Sequence, residues 1–320
     1  MQTANDVFGV AKQAAKGTIA ANPVFAHGLA SGGLDVAVSQ QADPLTSAYQ
    51  SPSGAYRDQI DAGCTIGTRA WQKAVGLYLL AALGNDVVSG GGPYVHTITL
   101  GNSSPYLSLF EKKSDGTILG ERDAKLDELE ISWEANKPLL VTAKCIGGVV
   151  SFPATFTPTT DESDTANYYT PVGGTFKYAV ASATPVVAPI TAGKITIKRK
   201  AEAAFFSGAI EAGDVLQGAC EVEYNLTVRP DDMTLWRAVV TGTTSGTAIQ
   251  TVPLYGSAEQ LFAKGADSLK LTSLAVAFLC DLPEADPDGA PVECELAGVA
   301  YRAATATPLT AVLTNTQATY

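Results

Sequence analysis

Two histidines, five cysteines and one dense acidic run are the features of this 320-residue chain whose residue types suit catalysis or metal binding. His27 stands near the N-terminus in a stretch with few strand signals. His96 sits in Val95-His96-Thr97-Ile98, where an imidazole reads as a polar strand position. A nucleophile needs a base within hydrogen-bond reach, and no serine or cysteine is spaced to pair with either histidine. Cys64, Cys145, Cys220, Cys280 and Cys294 are odd in number, widely spaced and without a CxxC. Each lies in an apolar or alternating segment, so they read as buried, reduced thiols behaving as small hydrophobes. The acidic run holds Asp281, Glu284, Asp286 and Asp288. It lacks the EF-hand spacing and Pro283 and Pro287 break it, which favours a hairpin tip over a Ca²⁺ loop. No GxxxxGK[ST], GxGxxG or HExxH occurs. Asn225-Leu226-Thr227 fits a glycosylation sequon but falls on an expected strand. The expectation is a chain with no catalytic residue, no cofactor and no metal.

One carboxylate pattern is regular. Over residues 128–134, Leu129, Ile131 and Trp133 point one way, and Glu128, Glu130, Ser132 and Glu134 the other. That is a strand with one buried and one acidic face. Using two of these glutamates as an acid–base pair would require an apolar pocket to separate their pKa values. An open alternating face without a basic partner points instead to a solvated surface.

Composition narrows the class. Hydrophobic residues make up 46% and charged residues only 17%, below the usual quarter. The net charge is −11 and the pI about 4.7. Nucleic-acid binders carry basic patches. The densest one here is Lys198-Arg199-Lys200, which reads as a solvated strand end. An acidic chain can still surround DNA without holding it, if its inner wall repels phosphate. The start, Met1-Gln2-Thr3-Ala4-Asn5-Asp6, has no basic segment followed by an apolar core, and the longest apolar stretch, about 75–83, is too short to span a bilayer. A cytoplasmic site of synthesis, with no membrane partner, is the expectation.

The elements that must position these residues are mostly strands. Residues 1–30 read as an N-terminal arm, with a short helix around 10–16. Strand signals begin at Leu34-Asp35-Val36-Ala37-Val38. Residues 68–83 read as a helix capped by Thr68 and ended by Gly84, with Trp71, Val75, Tyr78, Leu79, Ala82 and Leu83 on one stripe. Strands follow at 95–100 and 106–110, a turn at Asp115-Gly116, and the strand 128–134 with its partner at 139–146. Residues 158–175 read as a linker.

The second half echoes the first. Gly193-Lys194-Ile195-Thr196-Ile197 follows Gly33-Leu34-Asp35-Val36-Ala37, and Gly218-Ala219-Cys220-Glu221-Val222 follows Gly63-Cys64-Thr65-Ile66. A helix at 231–241 ends before Gly242 as the first ends before Gly84. The strand 269–279 aligns with 107–110, and 292–296 with 129–133. The expected fold is mainly β: two tandem β-sandwich or barrel domains, at 31–157 and 176–310, each with one flanking α-helix, followed by a C-terminal arm at 311–320.

The segments Gly76-Leu77-Tyr78-Leu79-Leu80-Ala81-Ala82-Leu83-Gly84, Val95-His96-Thr97-Ile98-Thr99-Leu100-Gly101, Pro105-Tyr106-Leu107-Ser108-Leu109-Phe110-Glu111-Lys112 and Leu129-Glu130-Ile131-Ser132, together with the final Thr314-Asn315-Thr316-Gln317-Ala318-Thr319-Tyr320, resemble the tail-tube proteins of long-tailed bacteriophages. The resemblance covers most of the chain. It implies a β-sandwich with a flanking helix, self-assembled into stacked rings around a DNA channel in the virion tail. It also implies tape measure and tail terminator or tip proteins as partners, and DNA that passes without specific binding. Single-domain members build rings of six. Two folds in one chain would make the ring a trimer with pseudo-sixfold symmetry, or a wider hexamer of twelve folds. The acidic strand positions Glu128, Glu130, Glu134, Glu221, Glu223, Glu293 and Glu295 are the candidates for the channel wall. The segments 1–30, 311–320 and 85–93 are the candidates for contacts between rings. Tandem sandwiches also serve as carbohydrate- or receptor-binding modules. Those display exposed aromatics, whereas Trp71 and Trp236 are expected in helices and Trp133 on an apolar strand face.

Overall fold

The computed structural model describes residues 6–320 except 21–22, 43–53, 153, 156, 159, 162–166, 181–183, 231, 283–291 and 305. The first half opens with β1 (Val7–Lys12), β2 (Phe25–Gly28) and a long hairpin of β3 (Ser31–Ala42) and β4 (Ala55–Arg69). Helix α1 (Ala74–Leu83), the hairpin β5 (Gly84–Ser89) and β6 (Tyr94–Leu100), β7 (Leu107–Lys112), the long β8 (Ile118–Glu134), β9 (Leu140–Ile146) and β10 (Val149–Ser151) follow. After β11 (Thr160–Asp161) come β12 (Thr175–Ala179), β13 (Val186–Val187), β14 (Ile190–Lys198), the hairpin β15 (Glu202–Phe205) and β16 (Ala212–Leu216), and β17 (Glu221–Val228). Helix α2 (Thr234–Thr241), β18 (Tyr255–Lys264), β19 (Asp267–Cys280), β20 (Cys294–Ala300) and β21 (Thr310–Asn315) complete the chain.

The pairing order repeats. In the first half β3 pairs β4, β4 pairs β9, and β9 pairs the later part of β8. In the second, β14 pairs β17, β17 pairs β20, and β20 pairs the later part of β19. The earlier part of β8 pairs β7 and β10, and β1 links β7 to β2. The earlier part of β19 pairs β18 and β21, and β12 links β18 to β13. The order β1-β2-β3-β4-α1-β7-β8-β9-β10 thus corresponds to β12-β13-β14-β17-α2-β18-β19-β20-β21. The β5–β6 and β15–β16 hairpins are additions peculiar to one half.

This correspondence corrects the alignment drawn from sequence. β19 matches β8, and β20 matches β9. The sequence reading starts this strand at Glu128, whereas β8 runs unbroken from Ile118 to Glu134, with a register shift between Leu126 and Glu128.

Two seams fuse the halves. β8 pairs β14 from Glu128↔Lys198 to Glu134↔Ala192, which makes one antiparallel sheet of eight strands, β3-β4-β9-β8-β14-β17-β20-β19. β21 lies between β19 of the second half and β6 of the first. The main apolar core spans both halves, from Phe8 and Leu77 to Phe262 and Leu296, with a small second cluster of Ala11, Ala20, Val24 and Phe110.

The segments expected as arms therefore hold sheet strands. Residues 7–12, where a helix was expected to begin, form β1, because Phe8, Val10 and Phe25 have an apolar layer to enter. Residues 310–315 form β21, and Tyr320 is 4% exposed against α1. Within 85–93, residues up to Ser89 belong to β5. In the expected linker, Tyr168 bridges Trp71, and Tyr169 is buried with its N–H donating to the Ala70 carbonyl.

α1 starts later than its periodicity suggested. β4 runs to Arg69, and Thr68 spends its hydroxyl on the Gly28 carbonyl (3.0 Å) while accepting from Trp71 Nε1 (3.0 Å), so it caps nothing. All ten residues of α1 are buried, with no exposed stripe, because β8 and β6 pack on it and Tyr320 covers Gly76. α2 is amphipathic and buries Leu235, Ala238 and Val239 toward β19. Both helices end as expected. Gly84 (φ 99°) and Gly242 (φ 82°) take the left-handed conformation and donate to Leu80 O and Ala238 O.

Candidate functional site

The carboxylates singled out in the sequence come together on one face of the eight-stranded sheet. Register fixes this. Glu128 stands opposite Lys198, Glu130 opposite Thr196, and Glu134 opposite Ala192. Lys198 in turn stands opposite Glu221, Thr196 opposite Glu223, and Ala192 opposite Thr227. Thr227 then stands opposite Glu295, and Glu293 lies two residues before it on the same side. Directly opposed residues point the same way, so these side chains share a face. The reverse face carries Leu129, Ile131, Ile195, Ile197, Val222 and Leu296, each 0% exposed. A slip of one residue would bury the charges and expose this set, so the apolar alternation pins the acidic face.

The face extends past the predicted positions. Glu128 pairs across to Lys144 of β9, Lys144 to Thr65 of β4, and the same rows continue to Asp61 and to Asp35 of β3. Asp35 and Asp61 are exposed. Neither was legible in the sequence, because their strand reaches this face only through pairing with distant β9.

The sequence reading gives Glu128, Glu130 and Glu134 no basic partner, and the structure corrects this for Glu130 and Glu134. Lys194 Nζ lies 3.3 Å from Glu130, Lys198 Nζ 2.7 Å from Glu223, Lys200 Nζ 2.5 Å from Glu221 and Lys137 Nζ 2.6 Å from Glu134. Arg229 reaches Glu293 at 2.8 Å. The partners sit mostly on neighbouring strands far away in sequence. Their hydrogen bonds hold the Lys198 ammonium, and through Asp127 that of Lys144, above the usual lysine range. Such partly exposed pairs contribute about 0–1 kcal/mol each, so they order the face more than they stabilise the fold. On β8, β14, β17 and β20 the face carries six carboxylates (Glu128, Glu130, Glu134, Glu221, Glu223, Glu295) against two lysines (Lys194, Lys198), and it remains net acidic.

The histidines are structural contacts. His27 is buried, with Nε2 2.8 Å from the Tyr78 hydroxyl and Nδ1 3.3 Å from Thr68 Oγ1. Burial pushes its pKa down to about 4. His96 lies between the Asp86 carboxylate and the Gln317 carbonyl, each at 2.8 Å, and meets the Tyr320 ring at a tilt, with centroids 4.7 Å apart. Three cysteines are buried and two half-buried, all as free thiols. Among the described residues, no three His, Cys, Asp or Glu side chains gather to hold a metal ion. The acidic run expected as a hairpin tip lies mostly outside the described residues, with Asp281 and Leu282 at its edge. A cleft of about 340 Å³ between the halves, lined by Trp133, Phe176, Pro189 and Gln260 among others, has no titratable group in its wall. No described helix is long and apolar enough to cross a membrane.

The sheet also has unpaired edges. Among the described residues, β3 pairs only with β4. On the side of β19 where β18 pairs, the pairing stops at Ala277, so residues 278–280 are open there. Leu279 (74% exposed) and Val299 (40%) stand at this end.

No curated protein matches the chain. The profile of a family described as Phage tail tube protein matches residues 3–303, nearly the whole length. With its two-layered β halves, flanking helices and one-sided acidic sheet, the chain belongs to the phage tail tube protein family.

Proposed function

We propose that this chain is the structural subunit of a phage tail tube, that three copies close each ring, and that stacked rings form the channel through which the genome passes. The observation that carries the ring is the β8–β14 seam. It joins two four-stranded sheets of the same topology edge to edge inside one chain. The same join between chains needs a free strand equivalent to β14 and a free end equivalent to that of β8. β3 and the end of β19 are those two edges. Strand addition at an exposed edge is normally a hazard, and here it is the means of closure.

Ring size follows from strand spacing. Eight strands per chain and three chains give twenty-four strands, and at about 4.8 Å spacing a circumference of about 115 Å and a diameter of about 37 Å before tilt widens it. Two chains would leave about 24 Å between backbones, a water-filled pore too narrow for duplex DNA once side chains line it, and six would leave about 70 Å. Three chains suit duplex DNA. The acidic face, with Glu128, Glu130, Glu134, Glu221, Glu223, Glu293 and Glu295, lines the channel in this reading. It repels phosphate, so DNA slides without the salt-dependent adhesion of a basic wall. The virion tail is then the protein's location, assembled in the host cytoplasm. A tape measure protein and terminator or tip proteins bound the tube's length.

Electron microscopy of the concentrated protein tests the ring. End-on averages with threefold symmetry and six similar lobes are expected. Rings of sixfold symmetry with twelve lobes, or closed compact dimers, would overturn the trimer.

A further inference from the structure

Four of the five cysteines form two cross-strand couples, and the couples differ in what their strands permit. Cys64 of β4 stands opposite Cys145 of β9 in the middle of a ladder, with β3 holding β4 and β8 holding β9 from the outer sides. Both are buried, at 3% and 2% exposure, so no dissolved reagent reaches them. Cys280 is the last residue of β19 and Cys294 the first of β20. Cys280 stands opposite Leu296, two residues beyond Cys294, so both thiols lie on one face. Their sulfurs are 3.9 Å apart. A disulfide needs about 2.0 Å, so the gap to close is about 1.9 Å. At this rung the ladder ends, with the Asp281 N–H to Glu295 carbonyl bond stretched to 3.4 Å, so the backbone can yield.

We infer that Cys280 and Cys294 are an oxidisable pair that closes into an intrachain disulfide stapling the base of the β19–β20 hairpin. Cys280 is half-buried and meets the reagent first, with Cys294 behind it. A small external disulfide such as oxidised glutathione is the oxidant. The Cys280 sulfur attacks one glutathione sulfur and releases the other half as glutathione thiol, which takes up the proton Cys280 gave up. The Cys294 sulfur then displaces the second glutathione from Cys280. Two protein thiols become one disulfide, one glutathione disulfide becomes two thiols, and two electrons pass to the oxidant. Burial holds both cysteines above the ordinary thiol range, helped at Cys280 by the neighbouring Cys294 sulfur and at Cys294 by the Asp281 carboxylate, so exchange is slow and quickens in alkaline buffer. A chain kept in a reducing compartment leaves the pair open, and transfer to an oxidising one closes it. The inference does not depend on the tube reading.

The full-length folded protein is incubated with glutathione disulfide in mildly alkaline buffer, then unfolded for thiol counting and digested without reductant for peptide mapping. Free thiols should fall from five to three, with one linked pair, Cys280–Cys294, and dithiothreitol should restore five. Cys294→Ser should trap one glutathione on Cys280, and Cys64→Ser should still form the link. Five thiols retained, a link between other cysteines, or a stable glutathione adduct on Cys280 of the unaltered chain would overturn the inference.

Discussion

Glu121 is the residue least at ease in this fold. It lies on β8 at 3% exposure, and neither carboxyl oxygen has a hydrogen-bond partner among the described residues. Burial alone pushes its pKa from 4.5 up to about 8. Between those values only the folded chain holds the proton, so this residue's contribution to stability falls as pH rises through the window. His27 works in the opposite sense. Its pKa drops from 6.5 to about 4, so between those values only the unfolded chain binds the proton, and stability is lost as pH falls. From about 4.5 to 6.5 the two slopes offset each other. Above 6.5 the Glu121 loss stands alone, on the order of a few kcal/mol. Denaturant titrations across pH should show a plateau and then a decline toward pH 8. Glu121→Gln should abolish the decline and uncover a rise between pH 4 and 6.5. An unchanged profile in the variant would place the titrating group elsewhere.

At the scale of elements, the two helix ends share a conformation but differ in their surroundings. Gly84 and Gly242 both sit at positive φ, where an L-residue costs about 1–2 kcal/mol. A Cβ on Gly84 would come within 2.4 Å of the Ser103 carbonyl oxygen, which is backbone. A Cβ on Gly242 would meet only Leu254 Cδ1 at 3.0 Å, the end of a flexible side chain. Gly84→Ala should therefore cost about 2–4 kcal/mol and Gly242→Ala about 1 kcal/mol. Thermal or urea unfolding of the two variants checks the order, and equal losses would mean the Ser103 loop moves freely. The difference also reflects burial. α1 is enclosed on every side, while α2 keeps an exposed face.

For the molecule as a whole, the test is whether the inner seam is a template for the outer one. In the β8–β14 seam, Ile197 stands opposite Leu129. The strand correspondence maps Ile197 onto Leu34 and Leu129 onto Phe278. Leu34→Asp should then cut sedimentable tube about tenfold, the effect of losing about 1.4 kcal/mol per contact, while the folded monomer survives at a lower melting temperature because Leu34 packs partly against its core. Wild-type tube yield from that variant would reject the β3–β19 join. The channel assignment has its own test. Lysines in place of Glu128, Glu130, Glu223 and Glu295 should leave tubes intact but slow genome ejection, most strongly at low salt. Ejection at an unchanged rate would put this face outside the channel.

The sequence alone determined whatever depends on near neighbours. Strict alternation at Leu129, Ile131 and Trp133 was enough to orient β8, since a strand's two faces follow from its period of two. Gly84 and Gly242 marked both helix ends, since only glycine takes positive φ cheaply. Tertiary structure decided what depends on distant pairing. Thr68 reads as a helix cap until β2 brings the Gly28 carbonyl to its hydroxyl. The stretches around Val10 and Val312 read as arms until β7 and β19 offer them edges. The glutamates read as unpartnered until β14 brings lysines between β8 and β17. Asp35 and Asp61 join the acidic face only through the β4–β9 register. In each case the missing information was which strand lies alongside. That choice is made by a shared core burying apolar surface from residues hundreds of positions apart, and no local window of sequence contains it.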